Sequence, residues 1–158
     1  MLRTCILSRK TEISGGPFIA ARTPIRDRYE ESKAGGKLVR MHADAQPAMR
    51  PEDLSRLIVE RLNAGDVDGL TALYEPDAVL ALPDGQIATG SSEIRRAYER
   101  VVADRSIFEP GTQRPTLHHG DIALTSSRLA NGVVTVEVAR RQADGTWLWV
   151  IDQPNVAP

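Results

Sequence analysis

Glu137 is an acid set among valines. It falls in a run where Val134, Val136 and Val138 alternate with Thr135, Glu137 and Ala139. Turned toward an interior, it is a carboxyl whose pKa rises in apolar surroundings, able to act as an acid or a hydrogen-bond donor. Turned outward, it faces solvent or a partner subunit, and the valines face the core. The valine alternation favours the outward setting. His118 and His119 are adjacent, so on a strand they point to opposite faces and one of them can reach an interior. Neither has metal-ligand spacing to another histidine, and loop-flanking or surface positions suit both. Trp147 and Trp149 share one face of a strand, either stacked on a ligand or packed in a core or interface.

Other chemistries are excluded by composition. Cys5 is the sole cysteine, and Lys10, Lys33 and Lys37 are the only lysines. From Met41 onward there is therefore no cysteine nucleophile, no thiolate metal cage and no Schiff-base lysine. The chain has no glycine-rich phosphate loop and no Gly-x-Ser-x-Gly elbow. A net charge of −1 over 158 residues gives no electrostatic case for nucleic acid. Arg140-Arg141 and the arginines near Tyr98 read as surface charge.

Helices and turns must position these groups. Pro51 suits a first helical turn, and Leu54, Leu57, Ile58 and Leu62 follow on one stripe up to Gly65. Asp66 caps a second helix whose buried face is Val67, Leu70, Leu73 and Tyr74, and which Pro76 stops. Ala78–Leu82 reads as a strand, Pro83-Asp84-Gly85 as a turn, and Gln86–Ala88 as a short return. Ser91 or Ser92 caps a third helix that buries Ile94, Ala97, Tyr98, Val101 and Val102. Thr116–Leu129 reads as one long strand with a bulge at Gly120. Asn131-Gly132 and Asp144-Gly145 are hairpin turns that lead into Val133–Gln142 and Trp147–Asp152, with Pro154 ending the last strand. The result is an α+β architecture: an antiparallel meander with one face covered by three amphipathic helices.

Charge divides the chain. Residues 1–40 carry nine basic and four acidic residues; residues 41–158 carry eleven and seventeen. The first segment has no sustained period and is punctuated by Gly15-Gly16-Pro17, Thr23-Pro24 and Gly35-Gly36. Residues 1–48 are read as a flexible N-terminal extension and 49–154 as the domain. Met41 as the true start and an arginine-rich targeting arm are the two accounts of the extension. No apolar run has the length of a signal peptide or membrane span, and the expected compartment is the cytoplasm.

In order, Ala64-Gly65-Asp66, Tyr74 with Asp77-Ala78, Pro83 with Gly85, Gly90 with Ile94 and Tyr98, and Asp144-Gly145-Thr146-Trp147 resemble the NTF2-like superfamily, in its SnoaL-like and ketosteroid-isomerase-like branches. The resemblance implies a cone: a curved antiparallel sheet packed on three N-terminal helices. It also locates a site. A steroid isomerase of this family places its oxyanion tyrosine where this chain has Ile58 and its catalytic base where this chain has Leu82. Isoleucine donates no hydrogen bond and leucine accepts no proton, so standard ketosteroid isomerase chemistry is not expected. Tyr74 and Tyr98 match supporting tyrosines, and Glu137 falls where those enzymes carry a second acid. Asp152 matches an acid of the closing strand, with a ligand anchor and a backbone cap as its two readings.

Two functions follow as expectations. One is a partly apolar pocket for a small hydrophobic or amphipathic metabolite. Glu137 and Asp152 are its candidate catalytic acids, and Ile58, Tyr74, Leu82, Tyr98 and His118 its lining. No metal or other cofactor is expected. The other is a non-catalytic homodimeric association module whose outer sheet packs through the tryptophan face. Whether the chain is an enzyme is left open.

Overall fold

The computed structural model describes residues 46–157. The expectations for residues 1–45, including the extension, Cys5 and the lysines, lie outside the described residues. The folded part reaches past 49–154 at both ends. Ala48 is buried and its carbonyl accepts from Trp147 N at 2.8 Å, while the final strand continues to Ala157.

Helix α1 spans Pro51–Ala64. Proline sits at its start, Arg50 N donates to Asp53 Oδ2 at 3.0 Å, and Gly65 closes it in the left-handed conformation. Its stripe of Leu54, Leu57, Ile58 and Leu62 is buried as the periodicity predicts. Helix α2 is a single turn, Val67–Thr71, capped by Asp66, whose Oδ1 accepts from Gly69 N at 2.9 Å. Tyr74 does not belong to it. Tyr74 opens strand β1, Tyr74–Ala81, which carries Pro76 within it. Strand β2 is Ile87–Thr89. Helix α3, Gly90–Ala103, starts ahead of Ser91 and Ser92; instead of a serine cap, Glu93 Oε2 accepts from Thr89 N at 2.9 Å.

The predicted long strand Thr116–Leu129 is two strands. After β3, Thr112–Gln113, β4 covers Leu117–His119 and β5 Ile122–Arg128. Gly120 is no bulge. His119 pairs with Ile122, so Gly120 occupies a two-residue hairpin turn with φ +58, a conformation glycine adopts without strain. Strands β6, Val134–Arg141, and β7, Trp147–Ala157, complete the chain. Pro154 does not end β7.

Among the described residues the strands form one curved, unclosed sheet in the order β2-β1-β7-β6-β5-β3, with β4 also on β5. All neighbours are antiparallel except β1 and β7, which run parallel. The sheet is therefore mixed where the meander alone predicts antiparallel. Helix α1 lies against β7 and β5, and α3 against β1 and β2. The core between them includes Leu54, Leu70, Leu73, Leu80, Ile94 and Trp149. This is the α+β cone of the NTF2-like fold.

Candidate functional site

The pleat decides which β6 side chains meet α1. Thr135, Glu137 and Ala139 are buried, while Val134, Val136 and Val138 are only half-buried on the opposite face. Glu137 therefore faces inward, against the direction the valines favour. Its cross-strand partners are Thr125 on β5 and Asp152 on β7, and partners share a face.

Asp152 reaches that face through an irregularity. Trp147 and Trp149 are buried two residues apart, but the next buried residue of β7 is Asp152, three further on. The register shifts here: Val138 pairs with Ile151, whereas Ala139 pairs with Trp149. The extra residue reverses the alternation, so that Trp149 and Asp152 both point inward. In an unbroken strand Asp152 would face out.

Asp152 stands at the end of a donor chain. Tyr74 Oη donates to Asp152 Oδ2 at 2.5 Å, and Tyr74 and Tyr98 hydroxyls are 2.5 Å apart. A tyrosine has one proton, and that of Tyr74 is committed to Asp152, so Tyr98 donates to Tyr74. The rings form a corner, with Tyr74 tilted 5.3 Å from Trp149 and 6.0 Å from Tyr98 between centroids. On the other side, Thr125 Oγ1 donates to Glu137 Oε2 at 2.7 Å. Glu137 and Asp152 are 6% and 4% exposed.

Burial pushes the Asp152 carboxyl up to about 8, with the Glu137 charge adding to the rise and the Tyr74 hydrogen bond opposing it. Burial also raises Glu137 against the hydrogen bonds of Thr135 and Thr125. Two acids side by side on adjacent strands cannot both ionise cheaply, so the pair holds a proton near neutral pH. Tyr74 is held well above the ordinary phenol value by burial and by the Asp152 charge, and so is Tyr98. Both remain donors.

A cavity lies beside the acids. Helix α1 lines it with Ser55, Ile58 and Val59; the sheet lines it with Ser127, Thr135, Glu137, Trp149, Asp152 and Pro154; Gly111 and Leu129 complete it. Its volume is about 30 Å³, space for about two waters and far below the roughly 300 Å³ at which drug-sized pockets begin. Gly111 fits against β5 because it lacks a side chain: a Cβ there would stand 2.9 Å from Leu129 Cδ2 and 3.1 Å from Arg128 O. Trp149 Nε1 is buried without a hydrogen-bond partner among the described residues.

The sequence candidates separate accordingly. Glu137, Asp152 and Ile58 line the cavity. Tyr74 and Tyr98 stand behind it and reach it through Asp152. Leu82 does not line it. It follows the end of β1, where its N–H bonds Gln86 O at 2.8 Å, on the side away from β5 and β6. His118 does not line it either. It shares a face with Ala123, but at the open edge of the sheet, where it is exposed and meets Trp147 edge-on at 6.0 Å. The tryptophans are buried on the inner face, so the outer sheet has no tryptophan face to offer a second subunit.

Sequence reasoning passes over Thr125, Ser127, Thr135 and the Trp149 N–H. The signal available was the set Ala123, Thr125, Ser127 and Thr135, Glu137, Ala139, small or polar at every second position of two neighbouring strands. Among the described residues no group of three or more His, Cys, Asp or Glu is placed to hold a metal ion. No helix there is long and apolar enough to cross a membrane.

Comparison with known proteins agrees with the geometry. No curated protein sequence matches the chain. Among solved structures, a proposed calcium/calmodulin-dependent protein kinase type II association domain from Thiobacillus denitrificans is 15% identical, covers 68% of this chain and 93% of its own, and gives a TM-score of 0.56. A ketosteroid isomerase-like protein from Erwinia carotovora atroseptica is 21% identical, with coverages of 68% and 94% and a TM-score of 0.53. A proposed dehydratase of the NTF2-like family from Streptomyces avermitilis is 19% identical, with coverages of 67% and 95% and a TM-score of 0.51. These likenesses establish the fold. The SnoaL-like domain profile matches residues 55–153, well over half of the chain, and the protein belongs to that family within the NTF2-like superfamily.

Proposed function

We propose that this chain binds a small amphipathic molecule in the cavity between α1 and the sheet, and exchanges a proton with it through the Asp152–Glu137 pair. One observation carries this reading: two carboxyls are buried side by side on the inner face, with hydroxyl donors on both and no basic side chain in the cavity lining. Such a pair costs stability, and titratable groups perturbed in this way cluster at functional sites. An acid held near 8 can give or take a proton at working pH. Steroid-isomerase chemistry at the usual positions remains unsupported, because Ile58 and Leu82 occupy them. A ligand of more than a few atoms also requires the Gly111–Leu129 contact to yield.

The test is a fragment titration followed by amide NMR. Shifts clustered at Ser55, Thr135 and Trp149 are expected, and they should disappear in Glu137→Gln/Asp152→Asn. If no fragment moves these signals, the reading fails.

A second reading, homodimeric association, draws support from the outer face. Leu124, Val138, Ile151 and Val79 form one row across β5, β6, β7 and β1. Leu124 and Ile151 are 37% and 48% exposed. A row of this kind fits an isologous contact with a second copy. One of the fold relatives is described as an association domain. Light scattering that reports a monomer at high concentration rejects it.

A further inference from the structure

The charge of the ligand can be read from the same cavity, on the premise that the cavity is a small-molecule site. We propose that it takes a short, oxygen-bearing primary amine, with the ammonium seated at the Glu137–Asp152 pair and the oxygen accepting from the Trp149 indole.

Three features converge on this chemistry. The first is the direction of the hydrogen bonds. Tyr98 donates to Tyr74, Tyr74 to Asp152, and Thr125 to Glu137. Among the described residues, the hydroxyl contacts of Tyr74 and Thr125 each deliver a proton toward the pair, so what the acids lack is positive charge. The second is the absence of a counter-ion. The lining contains no Arg, Lys or His, and no cation lowers either carboxyl. Two buried carboxylates without a counter-ion cost several kcal/mol each. The pair meets that cost by keeping a proton, and an ammonium can take its place. A carboxylate or phosphate ligand has no cationic partner here and would face the charge of the acids. The third is the orphaned donor. Trp149 is 2% exposed, lines the cavity and leaves its N–H without an acceptor. A hydroxyl or carbonyl oxygen on the ligand fills that role. Ile58, Val59 and Leu129 suit a short carbon stem. The small volume confines the ligand's polar end to a few heavy atoms.

The titratable groups facing Asp152 are Glu137 from β6, Tyr74 from β1 and, behind it, Tyr98 from α3. From α1 and β5 the cavity receives Ser55, Ile58, Val59 and Ser127, none of them charged near neutral pH. Binding of an ammonium therefore releases the proton of the pair. Affinity should rise with pH, on the order of tenfold per unit while the pair is protonated. A neutral acceptor, which uses the protonated acid as its donor, has the opposite dependence.

Ethanolamine, ethylene glycol and glycolate are near-isosteric probes of charge +1, 0 and −1. The chain has two tryptophans, so Trp147→Phe identifies the Trp149 indole N–H resonance. Ethanolamine should shift that resonance at least about tenfold more tightly than either other probe at pH 8, and more weakly at pH 6. Glu137→Gln should abolish the preference, and Asp152→Asn serves if that variant folds poorly. Glycol or glycolate binding as tightly as ethanolamine, or ethanolamine weakening as pH rises, overturns the charge assignment and leaves the cavity a small-molecule site. No response to any of the three overturns both.

Discussion

The two faces of β6 are built in opposite senses from the common pattern. A sheet covered by helices on one side normally turns apolar residues in and polar residues out. Here Thr135 and Glu137 are buried against α1, and Val134, Val136 and Val138 are half-exposed. The apolar core is instead one cluster fed mainly by the helices, β1 and the start of β7, where Leu54, Leu57 and Leu62 of α1 join Leu73, Leu80, Ile94, Tyr98 and Trp149. Core and site thus share the inner face, with Ile58, Val59 and Trp149 belonging to both. The helices and β1 hold the fold together, and β5 and β6 carry a polar row that the core has to tolerate.

The largest effect should come from the shared apolar core. Leu80 is 1% exposed and packs in the core, so Leu80→Ala should cost about 2–5 kcal/mol in denaturant unfolding. Val136→Ala, on the outer face of β6, should cost less than about 1 kcal/mol. Equal losses would mean that a second copy covers the outer face, and the contrast between the faces would vanish.

The next effect concerns the polar row, and it depends on pH. Asp152 has a pKa raised to about 8 when folded, against 3.8 for an ordinary aspartate. Between those values the folded chain binds more protons than the unfolded one. Its contribution to stability is complete below 3.8 and is lost as pH rises toward the folded value. Asp152→Asn should flatten this decline and raise the urea midpoint above that of the wild type at pH 8, with Glu137 supplying the remaining slope. A wild-type midpoint that climbs from pH 5 to pH 8 would show that the pair is not buried as drawn.

Much of this frame is legible in the sequence, for local reasons. Pro51, the leucine stripe and Gly65 bound α1 by backbone chemistry alone, and Asn131-Gly132 and Asp144-Gly145 place the hairpins. The site is legible as a set of residues, since Tyr74, Tyr98, Glu137 and Asp152 do converge, but not as a geometry. The inward turn of Asp152 comes from a single extra residue near Val150, where Val and Ile are ordinary strand residues that give no sign of a bulge. Glu137 is misread because period two gives two faces without saying which one a helix covers. Gly120 fits a bulge and a turn equally well until the partner of β4 is known. Leu82 is drawn into the site by its place before Pro83 and His118 by strand alternation, and these fix order and face but not distance in space.

A finer measurement separates the hydroxyl donors from mere packing. Thr125→Val keeps the shape and removes the 2.7 Å bond to Glu137. A bond to an ionised carboxyl is worth about 1.5–3 kcal/mol and one to a neutral group about 1 kcal/mol. The variant should therefore lose more stability at pH 9, where Glu137 is more fully ionised, than at pH 5. Equal losses at both values would assign Thr125 a packing role.

The smallest expected change in stability lies on the outer face, and there the sign of a second observable matters more. Ile151 is 48% exposed and stands between Val138 and Val79 in the half-exposed row. In a monomer, Ile151→Ser removes little buried area, and the unfolding midpoint should stay within about 0.5 kcal/mol of the wild type. If the row joins two copies, the same change removes apolar surface from the interface centre twice, once per subunit, because an isologous contact repeats every substitution. The mass from light scattering should then fall from dimer to monomer at a concentration where the wild type is still paired. An unchanged dimer would move the contact elsewhere on the surface. The half-buried valines of β6 would then be only the other half of an alternation whose buried half is reserved for the acids.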